Sequence, residues 1–122
     1  MIRSLVPFIH VRDVLASIAF YEKLGFKVDN TYTPPDEDTP VWAWLQINDA
    51  ELMLGVAEEP VVPEQQAIFF YVYADDVSAT HAELRAAGIE VGEITHAFYA
   101  PRGEFRVIDP DGYSLMITHY GQ

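Results

Sequence analysis

Cysteine is absent from the 122 residues, which removes thiolate nucleophiles, disulfides and cysteine-type zinc or iron–sulfur sites together. The groups left for proton transfer or metal ligation are the carboxylates and four histidines, His10, His81, His96 and His119. His10 falls on a predicted strand, on the same side as Phe8. His81 falls on a predicted helix and is expected to be solvated, His96 lies in a long loop, and His119 is near the C-terminus. The serines, Ser4, Ser17, Ser78 and Ser114, stand in no triad context, and no glycine-rich phosphate loop, nucleophile elbow or Walker-type pattern occurs. The more abundant chemistry is aromatic. Phe8, Trp44, Phe69, Tyr71 and Tyr99, with the thioethers of Met53 and Met116, could hold a flat heteroaromatic or a cation by stacking and cation–π attraction, each worth about 0.5–2 kcal/mol.

Charge narrows the partners. Nineteen Asp+Glu against seven Lys+Arg give a net charge of -12. Such an excess disfavours nucleic acid, whose phosphates need clustered cations, and an anionic membrane surface. It keeps a protein soluble and would also attract a cationic small molecule. The first eight residues are too short and weakly apolar for a signal peptide or spanning helix, so a cytoplasmic protein is expected.

The elements that must position these side chains repeat. Ser4–Val11 reads as a strand, Leu5, Pro7, Ile9 and Val11 alternating with Val6, Phe8 and His10. Asp13 can cap a helix from Val14 to about Leu24 that Gly25 closes, and Phe26–Thr31 is a short strand. After the acidic loop Pro34–Pro40, Val41–Ile47 and Glu51–Val56 form a hairpin around Asn48-Asp49. Residues 58–66, with Pro60 and Pro63, read as a linker. Then the order recurs: strand Ile68–Tyr73, cap Asp75 or Asp76, helix Val77–Ala87, stop Gly88, strand Ile89–Val91, and a pair Glu104–Ile108 and Ser114–His119 around Pro110-Asp111-Gly112. Asp76 minus Asp13 is 63, as is Gly88 minus Gly25, and the same offset carries Leu52-Met53 onto Leu115-Met116. Agreement of caps, stops and strands at one offset indicates a duplicated module. The expected fold is α+β: one domain, residues 1–122, of two tandem βαβββ modules at about 4–57 and 67–120. Their curved mixed sheets would surround a concave cavity. Helices on the convex side would bury Leu5, Ile9, Val11, Phe70 and Val72.

The segments PFIHVRD (Pro7–Asp13), FYEKLGF (Phe20–Phe26), Asp75-Asp76-Val77 and RGEFRVIDPDG (Arg102–Gly112) carry a resemblance to the vicinal-oxygen-chelate superfamily of glyoxalases, bleomycin-resistance proteins and dioxygenases. It covers nearly the whole chain. Metal-using members place ligands at four inward positions, which by resemblance correspond here to Val6, Met53, Phe69 and Met116. Valine and phenylalanine donate nothing and a thioether suits hard ions poorly. The resemblance therefore implies the metal-free, bleomycin-resistance-like branch, with no metal and no cofactor.

Strand alternation places Phe8, His10, Met53, Phe69, Tyr71, Tyr73 and Met116 inside the cavity. A two-residue turn pairs Trp44 with Met53, bringing in Trp44 and Trp42; a one-residue slip would turn both outward. By resemblance, Arg106 also points inward with Glu104 beside it, and the loop bearing His96, Phe98, Tyr99 and Arg102 covers one end. This lining suits a small-molecule pocket. The function expected first is metal-independent sequestration of an aromatic or cationic compound, without a catalytic residue. The alternatives are a lyase, isomerase or glyoxalase-like enzyme using His10 and Glu104 as acid–base groups, and an interaction module whose aromatic face packs on a partner. The resemblance further implies a homodimer.

Overall fold

Asp13 and Asp76 start the two helices in the same way. Each sits in extended backbone (φ -144 and -142) and its carboxylate accepts the amide three residues on, Ala16 N–H at 3.2 Å and Ala79 N–H at 3.0 Å. Such caps contribute about 1 kcal/mol each. They open α1 (Val14–Lys23) and α2 (Val77–Ala86), and both helices run into glycines at positive φ, Gly25 at 105 and Gly88 at 87.

The structure is a computed structural model that describes residues 1–122, and its contacts divide it into Met1–Val61 and Val62–Gln122. The first unit is a four-stranded sheet of β1 (Phe8–Val11), β2 (Lys27–Tyr32), β3 (Trp42–Ile47) and β4 (Ala50–Val56), in the order β1-β4-β3-β2. β1 runs parallel to β4 and the other pairs are antiparallel. The second unit holds β5 (Phe69–Ala74), β6 (Glu104–Ile108) and β7 (Ser114–His119) in the order β5-β7-β6, with β5 parallel to β7. The fold is thus α+β, with mixed sheets of four and three strands and a helix against each.

Each sheet has one greasy face. In the first unit Ile9, Val11, Ala43, Leu45, Leu52 and Leu54 are buried together with Val14, Ile18 and Tyr21 of α1. In the second, Phe105, Val107, Leu115 and Ile117 are buried with Val77 and Leu84 of α2. Burying an aliphatic side chain of this size contributes about 1.5–3 kcal/mol. These alternate residues form the cores, so the intervening ones face away from the helices.

Four expectations need correction. The first strand begins at Phe8 rather than Ser4, and Leu5 lies at 85% exposure instead of in the core. Ile68 likewise precedes β5 at 56% exposure, and Phe70 and Val72 are only half-buried. Ile89–Val91 forms no strand. The Ile89 amide is drawn back to the carbonyl of Leu84 at 3.0 Å, ending the helix, and its side chain is buried there. Pairing with β6 resumes only through Gly92 N–H to Arg106 O (2.9 Å) and the Thr95–Glu104 bridge. His81 is not solvated: it is half-buried, its Nε2–H donates to the carbonyl of Gly92 at 2.9 Å, and its ring meets Phe105 edge-on at 4.9 Å.

Candidate functional site

The helix-free face of the first sheet is built from rows set by strand register. Phe8, Met53, Trp44 and Asn30 lie across one row, and His10, Gly55, Trp42 and Tyr32 across the next. The hairpin turn at Asn48 (φ 47) fixes the pairing of Trp44 with Met53, as the two-residue turn predicts. Gly55 makes room for Phe8: a Cβ there would lie 2.6 Å from Phe8 Cε1. The Phe8 ring is tilted against His10 at 5.3 Å, and Trp42 meets Trp44 edge-on at 6.3 Å. Trp44 Nε1 is buried and has no hydrogen-bond partner. An orphaned donor of this kind is rare in folded proteins.

The corresponding face of the second sheet carries three rows: Phe69, Ser114 and Ile108; Tyr71, Met116 and Arg106; Tyr73, Thr118 and Glu104. At one end the Arg106 guanidinium lies 4.8 Å above the Phe69 ring, a cation–π contact. At the other end Glu104 is buried at 2% exposure. Its carboxylate accepts the Tyr99 hydroxyl at 2.8 Å and the Thr118 hydroxyl at 3.3 Å. The bond to Glu104 is the main reason that the Tyr99 phenol is held above its ordinary range, so Tyr99 stays a donor at neutral pH.

The residues singled out in the sequence therefore fall into two groups. Phe8, His10, Trp44 and Met53 share the open face of the first unit; Phe69, Tyr71, Arg106 and Met116 share that of the second, with Tyr99 reaching in to Glu104. Phe8, Phe69 and Tyr71 remain 45%, 50% and 46% exposed, so these rings are open surface rather than core. His10 and Glu104 belong to different units. Thr118 was not foreseen. Its spacing of two from Met116 on one strand placed it on this face, and an adjacent carboxylate was the signal for its role.

A divalent cation does not suit the four positions that the sequence resemblance singles out for metal ligands. Val6 precedes β1, Met53 lies on β4, Phe69 on β5 and Met116 on β7, and none offers an oxygen or nitrogen donor from its side chain. No three His, Asp or Glu side chains gather elsewhere into a ligand cluster. No helix is long and apolar enough to cross a membrane.

A family model described as the Glyoxalase/Bleomycin resistance protein/Dioxygenase superfamily matches residues 4–117. No curated protein matches the chain. Among solved structures, the chain is similar to a bleomycin-binding protein complexed with bleomycin (TM-score 0.76, 20% identity, covering 97% of this chain and 98% of that one). It is similar also to a bleomycin resistance determinant encoded on the transposon Tn5 (TM-score 0.78, 19% identity, 99% and 100% covered). A third is TnmS3, an antibiotic-binding protein from Streptomyces sp. CB03234 (TM-score 0.72, 19% identity, 98% and 96% covered). At these identities the likeness is one of fold.

Proposed function

We propose that this chain, which belongs to the glyoxalase/bleomycin resistance protein/dioxygenase superfamily, binds and sequesters a small aromatic or cationic compound without a metal. The observation that carries this reading is the set of half-open aromatic rings on the helix-free sheet faces, Phe8, Phe69 and Tyr71 foremost. Rings left open this way stack on flat heteroaromatics and attract cations. Structural neighbours that bind bleomycin or another antibiotic support the same class of ligand. A net charge of -12 favours a cationic one. Metal independence is supported by the donor-free side chains of Val6, Met53, Phe69 and Met116.

Trp42 and Trp44, the chain's two tryptophans, both lie on the open face of the first unit and report on it. Titration with metal-free bleomycin and a panel of heteroaromatic cations is expected to give a saturable change in tryptophan fluorescence. No saturable change across the panel would overturn the reading.

A homodimer is part of this proposal. Contiguous exposed rings on a sheet face are a liability in a lone chain and are commonly covered by a partner. Sedimentation at micromolar concentration is expected to show particles of about twice the 13.8-kDa chain mass. Particles of the single-chain mass alone would contradict it.

A further inference from the structure

Glu104 is 2% exposed, yet its two hydrogen-bond partners are hydroxyls, Tyr99 at 2.8 Å and Thr118 at 3.3 Å, and neither carries positive charge. Glutamate is almost never buried to this degree without a counter-charge, because a carboxylate loses its hydration on burial. The nearest candidate on the same strand face, Arg106, is engaged instead with the Phe69 ring. A carboxylate offers about four lone-pair directions, and the two hydroxyls use two of them. The site is therefore short of a cation.

The cover over Glu104 is also light. Tyr99 is 53% exposed and sits in the irregular segment between the Thr95 bridge and β6, so its phenol reaches the carboxylate from the solvent side. Tyr71, 46% exposed, stands on the neighbouring row of the same face, and its interaction with Tyr99 contributes to holding that phenol in its protonated form. Two half-open tyrosines, one bonded to Glu104 through its hydroxyl and the other interacting with that phenol, thus stand beside the only buried carboxylate on this sheet face.

We propose that Glu104 anchors the cationic end of the ligand, a nitrogen cation carrying N–H donors such as an ammonium or amidinium group. Tyr99 is its latch: it donates to Glu104 while the site is empty and yields that place to the incoming N–H, its ring and that of Tyr71 then flanking the charge. Charge-assisted N⁺–H···O⁻ bonds are shorter and stronger than the hydroxyl bond they replace. This inference rests on the binding function proposed above and selects a cationic ligand class within it.

The test is a matched pair of probes, naphthylmethylamine and the neutral naphthylmethanol, with affinities measured by calorimetry on the wild type, E104Q and Y99F. The wild type is expected to prefer the amine by tenfold or more. In E104Q the amine should lose about tenfold or more while the alcohol is unchanged. In Y99F, which keeps the ring and removes the latch, the amine should bind severalfold more tightly. Equal loss of both probes in E104Q, or an amine affinity that neither variant moves, would overturn the anchor while leaving the binding function standing. Failure of the amine to bind a wild type that does bind panel compounds would overturn the anchor alone, and failure of the amine and the whole panel would overturn both.

Discussion

Gly112→Ala is expected to destabilise the second unit by about 4 kcal/mol. Two costs add. Gly112 has φ +88, a conformation whose occupation by an L side chain costs about 1–3 kcal/mol. A Cβ there would also stand 2.5 Å from Pro63 Cα and 2.7 Å from its carbonyl carbon, backbone atoms that cannot swing aside. Overpacking of this kind costs about 1–3 kcal/mol more. The turn is fixed in place from several sides. Asp109 Oδ1 accepts the amides of Asp111 and Tyr113 at 2.9 Å each, and Gln66 Nε2–H donates to the Asp111 carbonyl at 3.3 Å. Urea unfolding of Gly112→Ala against Gly88→Ala separates the two costs, because Gly88 has φ +87 and open space around it. The Gly112 variant should lose clearly more. Equal losses would mean that the Pro63 backbone does not brace the β6–β7 hairpin that carries Glu104 and Arg106.

The second large effect concerns binding with the fold intact. Phe69→Ala and Tyr71→Ala together, both on the open face of the second unit, are expected to weaken ligand affinity by about 5–700-fold, since each ring face contributes about 0.5–2 kcal/mol. Stability should change little. Phe69 and Tyr71 are 50% and 46% exposed, and the core of that unit lies on the opposite sheet face. Affinity from calorimetry and midpoints from urea unfolding, read on the same samples, decide the matter. Collapse of stability with affinity retained would identify these rings as packing and remove them from the site.

Much of this arrangement was legible because local signals agreed with one another. Asp13 and Asp76 each had an apolar helical pattern after them and a glycine twelve residues on, and both caps formed. The two-residue turn at Asn48-Asp49 set the register that puts Trp44 opposite Met53. The failures lay where tertiary competition decided the outcome. Ile89 and Val91 look like strand residues, but the helix terminus claims the Ile89 amide. His81 sits on a helix surface by periodicity, yet the Gly92 carbonyl, a partner eleven residues away, draws its imidazole in. Leu5 continues the alternation of the first strand, but pairing with β4 starts only at Phe8, so the pattern ran past the sheet. The Tyr99–Glu104 bond joins a loop to a strand start, and no periodicity encodes such a contact.

Equilibrium dialysis of chelator-treated protein against the panel compound that changes its tryptophan fluorescence most, with mass spectrometry of the recovered compound, puts the donor-free positions Val6, Met53, Phe69 and Met116 to work. Retention should be saturable, undiminished by chelation, and the compound should be returned unaltered. Retention that vanishes on chelation and returns with a divalent ion, or a compound recovered chemically changed, would contradict metal-independent sequestration.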